Sequence, residues 1–163
     1  AEGIRNIAEQ ALCDFDAMRE REGDKLREDV LNKLETIDKL VTIIEENAPK
    51  TVAEYREKLT QKLNEVLGTA GIDETRILTE AAIFADKVAV DEETVRLRSH
   101  MAQLKSMLAG GSPIGRKIDF LLQEFNREAN TTGSKCQNAD IAHVVVDLKS
   151  EIEKIREQIQ NIE

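Results

Sequence analysis

At 163 residues the chain is about one domain long, and its make-up of 34% charged and 3% aromatic residues, with no Trp, is the profile of long helices rather than of a sheet-built core. The formal charge of −9, from 23 basic and 32 acidic residues, excludes a protein that coats a polyanion by bulk electrostatics, so any such contact has to come from a local basic strip. No apolar run approaches membrane-spanning length, and Cys13 and Cys136, far apart and in no metal-ligand spacing, point to a reduced, cytoplasmic setting rather than a disulfide framework.

Apolar residues recur at helical spacing almost throughout, and nothing alternates as a strand. The breakers divide the chain into five helical stretches. The first runs from about Gly3 to Asn47 on a stripe of Leu26, Val30, Leu34, Ile37, Val41 and Ile44. Gly23 loosens it, and Ala48-Pro49 ends it, because the residue before Pro is pushed out of the α region. The second, Val52 to Leu67, carries Tyr55, Leu59, Leu63 and Val66 before Gly68 and Gly71.

Asp73 reads as the amino-terminal cap of the third stretch. Its buried face is Ile77, Ala81, Phe84 and Val88, continuing after a bend near Val90-Asp91 through Leu97, Met101, Leu104 and Leu108 to Gly110-Gly111. Pro113 opens the fourth, which extends to about Asn130 and is closed by Thr132-Gly133-Ser134. The last stretch, 138–163, carries Ile141, Val145, Leu148, Ile152, Ile155, Ile159 and Ile162 in alternating four- and three-residue steps, the seam of a supercoiled helix. Its partner is either the first helix or the same helix of another subunit, and the long antiparallel neighbour within the chain favours the former. The expected architecture is all-α: one elongated helical bundle with long, antiparallel, coiled-coil-like helices.

On the fourth stretch, Ile118, Leu121, Leu122, Phe125 and Ala129 form the core face. Opposite it, Asp119, Gln123, Arg127 and Asn130 line up, with Glu124 and Glu128 beside them as a second carboxylate row. Such a face is ordinarily just solvated. Phe120 argues otherwise, since an aromatic among outward polar residues suits stacking on a base or packing on another domain or subunit. On the third stretch, Glu92, Arg96, Ser99 and Gln103 form an outward strip flanked by Glu93 and His100. Histidine is the side chain type suited to general acid–base work near neutral pH, which singles out His100, although a histidine at the edge of an apolar face is more often structural. His143 reads as surface.

No zinc spacing exists, whereas a carboxylate-bound Mg²⁺ or Mn²⁺ is compatible with Asp119, Glu124, Glu128, Asp91 and Glu92. The segment from Gly110 to Lys117 resembles a phosphate loop but lacks the Gly-Lys-Ser/Thr ending and the preceding strand. Arg116 and Lys117 at that helix start are still placed to meet phosphates, assisted by the free amides of the first turn. The local charge permits this: residues 113–163 carry a net −2 against −7 for residues 1–112.

Three segments go further than periodicity. Asp91-Glu92-Glu93-Thr94-Val95-Arg96-Leu97-Arg98-Ser99-His100, the run from Gly115-Arg116-Lys117-Ile118-Asp119-Phe120 through Gln123-Glu124-Phe125-Asn126-Arg127-Glu128-Ala129-Asn130 to Lys135, and the terminal Arg156-Glu157-Gln158-Ile159-Gln160-Asn161-Ile162-Glu163 are long and contiguous. Together with Met18-Arg19-Glu20-Arg21-Glu22-Gly23 they resemble the carboxy-terminal helical module of the YicC/YloC family of stress-induced bacterial endoribonucleases. The resemblance spans essentially the whole chain, and family members carry a further amino-terminal domain with β structure. With Ala1 in place of Met, partway into a helical pattern, the expectation is a piece of a longer protein.

The resemblance implies a metal-assisted endoribonuclease with Mn²⁺ or Mg²⁺ as cofactor, RNA as substrate and assembly into a hexamer. It implies His100 as proton donor or acceptor, Glu124 and Glu128 (with Asp119) as metal or water ligands, and Arg127 beside them. Arg96, Arg127 and Lys135 would neutralise phosphate charge, Arg116, Lys117 and Phe120 would hold substrate, and Gln123 and Asn130 would orient these groups. The competing expectation is a non-catalytic RNA-binding and oligomerisation adaptor that presents RNA to another ribonuclease. A third has the module merely hold its partner domain in a ring.

Overall fold

The computed structural model of the chain describes residues 2–67, 73–110 and 115–160. All secondary structure in them is helical: α1 (Glu2–Leu67), α2 (Glu74–Val88), α3 (Asp91–Ala109), α4 (Gly115–Lys135) and α5 (Ala139–Gln160). Among the described residues no helix is long and apolar enough to cross a membrane. The expected all-α bundle is what forms.

Its core comes from the stripes read in the sequence. Val30, Leu34, Ile37, Val41 and Ile44 of α1 are buried with Ile141, Val145, Leu148, Ile152, Ile155 and Ile159 of α5 in one apolar cluster, which also takes in Leu97, Met101 and Leu104 of α3 and Ile118, Leu121, Leu122, Phe125 and Ala129 of α4. The α5 seam therefore finds its partner within the chain: α5 packs on α1 and α4, and α3 packs on α4 and α1. Ile162 and Pro113 lie outside the described residues, as do Gly68, Gly71 and Gly111.

The first two expected helices are one. Helix α1 passes through both Gly23 and Pro49 without interruption. Pro49 lacks the N–H that would donate to the carbonyl four residues back, and a proline inside a helix costs about 3 kcal/mol. Packing on both sides offsets that cost. Ile44 and Thr51 are buried on either side of the exposed proline, and Tyr55 stacks on Phe84 of α2 with ring centroids 3.8 Å apart.

The third expected stretch is in turn two helices. Asp73 caps α2 by accepting from the amide of Thr75, and the chain then turns at Ala89-Val90, where Val90 inserts into the core. Three acidic residues in the first turn of α3, Asp91, Glu92 and Glu93, suit its free amides.

Thr132-Gly133-Ser134 do not close α4, which continues to Lys135. Thr132 is buried and its hydroxyl donates to the carbonyl of Glu128, so its polar atom is satisfied within the helix. A Cβ on Gly133 would lie 3.2 Å from Cγ1 of Val145, so the glycine is there for the close approach of α5 and not as a stop signal. Asn138 then caps α5 by accepting from the amide of Asp140.

Helix α3 is pinned to α1 by Arg98, which donates to Asp38, Thr42 and Glu45. The hydrogen bond from Arg98 holds the Glu45 carboxyl below its usual range, against the opposing pull of partial burial.

Pro49→Ala is expected to stabilise the chain by about 2 kcal/mol, the helix-interior gain less the entropy that proline removes from the unfolded state. A urea midpoint that rises at unchanged slope bears this out. A falling midpoint would mean that the bundle needs the proline's geometry.

Candidate functional site between α3 and α4

Two ion pairs mark how α3 and α4 run past one another. Lys135 donates to Glu93 at 2.8 Å, and Arg96 lies 3.6 Å from Glu128. Moving three residues forward on α3 thus means moving seven back on α4, so the helices are antiparallel and the next step brings His100 beside Glu124. Beyond that, Gln103 and Met107 lie with Lys117, Phe120 and Leu121 along one cleft.

One flank of each helix makes this seam, immediately beside its apolar face. Glu93, Arg96, His100, Gln103 and Met107 recur on α3 at three- and four-residue steps, as do Lys117, Leu121, Glu124 and Glu128 on α4. Such positions share one side of a helix.

His100, Glu124 and Glu128 each place a ligand-type atom within 4.8 Å of the other two. Glu128, expected on an outward carboxylate row, is only 3% exposed, because α3 covers the flank of α4 on which it stands. A carboxylate withdrawn from water needs a compensating charge. Arg96 supplies it from a half-exposed position, while also donating to Glu92 at 3.1 Å. Glu124 is half-buried and has Arg127 at 3.6 Å. His100 sits against Phe125, ring centroids 5.8 Å apart, and its Nε2 is buried and makes no hydrogen bond.

The adjoining cleft, about 670 Å³, is lined by His100, Gln103, Met107, Arg116, Lys117, Phe120, Leu121, Glu124 and Arg127. Arg116 and Lys117 are exposed and make no ion pair among the described residues. Phe120 is 65% exposed.

The structure thus brings His100, Glu124, Glu128, Arg127, Arg96, Arg116, Lys117 and Phe120 to one place. It does not bring the rest. Asp119, Gln123 and Asn130 stand roughly 140–180° around α4 from Glu128, at about 100° per residue. Asp119 is half-buried there with Oδ1 unpartnered, away from the carboxylates it was grouped with. Lys135 is held by the buried Glu93 at the far end of the seam, so its charge is already committed. Sequence reasoning missed Met107 and Leu121 as cleft lining and Glu93 as a buried partner. The signal was available in their three- and four-residue spacing next to the apolar stripe.

A family model described as "Endoribonuclease YicC-like, C-terminal" matches residues 44–163. The chain belongs to this YicC-like family. Over 161 residues it is 47% identical to "Probable endoribonuclease YicC" of Clostridioides difficile (strain 630), covering 98% of this chain and 55% of that protein. Over 152 residues it is 40% identical to the protein of the same description from Haemophilus influenzae (strain ATCC 51907 / DSM 11121 / KW20 / Rd), covering 93% and 52%. The chain spans about half the length of these YicC-like relatives. Helices α2 to α5 and the seam between α3 and α4 all fall within the matched region.

If Arg96 serves as the countercharge of Glu128, Arg96→Met should cost about 1–2 kcal/mol, less than the 3–5 of a fully buried pair because Arg96 is half-exposed. Adding Glu128→Gln should then recover most of the loss, since a neutral amide needs no cation. Thermal or urea unfolding of the two single variants and the double variant decides it, and purely additive losses would contradict the pairing.

Proposed function

We propose that this chain supplies the reaction centre of an endoribonuclease that cleaves RNA phosphodiester bonds with the help of a divalent cation. The observation that carries the reading is the convergence of His100, Glu124 and Glu128 at the closed end of a cationic cleft. The names of the relatives point the same way.

Two carboxylates and one imidazole fit a hard cation that also tolerates nitrogen, which favours Mn²⁺ over the more oxygen-demanding Mg²⁺. Glu124 and Glu128 would hold it through oxygen, and His100 through the Nε2 that has no other partner. That arrangement favours a ligand role for His100 over the proton transfer expected of it from the sequence. A cation so bound supplies Lewis acidity and activates water at neutral pH.

The chain's other residues act on the substrate. Arg116 and Lys117 hold flanking phosphates at the cleft mouth. Arg127 and Arg96, already beside the two carboxylates, offer their remaining N–H groups to the charge that builds on the scissile phosphate. Apolar packing of Leu121 and Phe125 limits water around the triad.

Self-association into a ring-like hexamer is part of the same proposal. It is supported by Ile7, Leu12, Phe15 and Met18, which stand exposed along the amino-terminal span of α1. Exposed Cys13 and half-buried Cys136, both unpaired, suit a reducing cytoplasm.

Labelled single-stranded RNA is incubated with this chain, alone and fused to the part of the Clostridioides difficile relative that it does not match, with Mn²⁺ or with chelator. Cleavage is expected to vanish with chelator, and to fall at least about 100-fold in His100→Ala and in Glu128→Gln while helical content is retained. Unchanged cleavage in both variants would remove this site. Binding without cutting in any form would instead support an adaptor that delivers RNA to another nuclease.

A further inference from the structure

The mouth of the α3–α4 cleft is built differently from its closed end. Its walls are apolar at Met107, Leu121 and Phe120, the exposed Arg116 and Lys117 line it as well, and Gln103 of α3 lines it between His100 and Met107. The Phe120 ring is 65% exposed, and what sets it apart from other exposed apolar side chains is that it lines a cleft among cations in a chain whose net charge is −9. Elsewhere in the seam, Lys135, Arg96 and Arg127 are neutralised by Glu93, Glu128 and Glu124. Arg116 and Lys117 have no such partner among the described residues, so the positive charge left over sits beside Phe120.

We propose that this mouth is a subsite for one unpaired nucleobase, stacked on the Phe120 ring with its edge toward Gln103, while the phosphates on either side lie against Arg116 and Lys117. This rests on the RNA-cleavage reading above and adds to it the form of nucleic acid that is accepted. A space of about 670 Å³ has room for one nucleotide. Phe120 can use only a base whose face is free, whereas both faces of a base inside a duplex are covered by its neighbours. Stacking accepts any base, since every base has a flat face, while the Gln103 side chain offers both a donor and an acceptor and biases the choice among them.

The test reads binding and not cleavage. The chain contains no Trp, so Phe120→Trp places a single fluorophore in the cleft mouth. It is titrated in EDTA with a short single-stranded RNA, with a wholly abasic strand of the same length, and with the blunt duplex. Quenching by the single strand is expected. The duplex should bind roughly 10-fold more weakly, and the abasic strand should fail to quench while still binding through its phosphates, read from the labelled strand. Phe120→Ala should weaken single-strand binding roughly 5- to 100-fold, the range for losing one base stack.

RNA binding with unquenched Trp, or equal quenching by duplex, would overturn the subsite while leaving the cleavage reading intact. Quenching without any cleavage in the preceding assay would leave the subsite standing and sink that reading. A Trp emission that shifts with protein concentration and ignores RNA would overturn the subsite and make Phe120 a contact between copies of the chain.

Discussion

Leu97, Met101 and Leu104 of α3 and Ile118, Leu121, Leu122 and Phe125 of α4 leave water in the same apolar cluster, and this shared burial decides which residues of the two helices face each other. The arrangement of side chains in the cleft follows from that pairing. A slip of one residue would carry each flanking side chain about 100° around its helix, away from its opposite number. The ion pairs at Glu93–Lys135 and Arg96–Glu128 act as pegs on the register, because a buried carboxylate displaced from its cation is penalised far more than a surface pair. Farther away, Arg98 with Asp38, Thr42 and Glu45 ties α3 to α1, and the narrow crossing at Gly133 ties α4 to α5. The two helices that carry the cleft are thus each held from behind by a long one.

The charge distribution has a purpose that bulk values hide. A chain with net −9 is poorly suited to a polyanion. Along the seam, however, acids and bases are spent in pairs from the closed end outward, and the unpaired cations come last, where the cleft opens. On the proposed reading, a gradient of this kind would admit a phosphate backbone at the mouth and offer it carboxylates only at the inner end, where a bound cation would reconcile the two.

Much of this was legible in the residues. The α5 seam, the α1 stripe and the Asp73 cap depend on local spacing and capping chemistry, and they are where periodicity put them. What was misread depended on neighbours. Pro49 reads as a stop, but the packing of Ile44, Thr51 and Tyr55 on either side of it outweighs the local cost. Thr132-Gly133-Ser134 reads as a terminator because polar and glycine residues favour turns, whereas here they satisfy themselves within α4 and make room for Val145. Glu128 reads as solvated because it stands off the apolar arc of its own helix, and only the presence of α3 buries it. Resemblance to the family drew attention to the segments that line the cleft. It did not separate Glu124 and Glu128 from Asp119, which shares their helix and chemistry but not their side.

One imidazole and two carboxylates are proposed to act as a single donor set, and pulsed electron paramagnetic resonance of Mn²⁺ added to the chain examines that set directly. Nitrogen modulation from one histidine, present in the unaltered chain and lost in His100→Gln while Mn²⁺ still binds more weakly, is the predicted result. Tight Mn²⁺ binding with no nitrogen coupling, unchanged by His100→Gln and by Glu128→Gln, would contradict it.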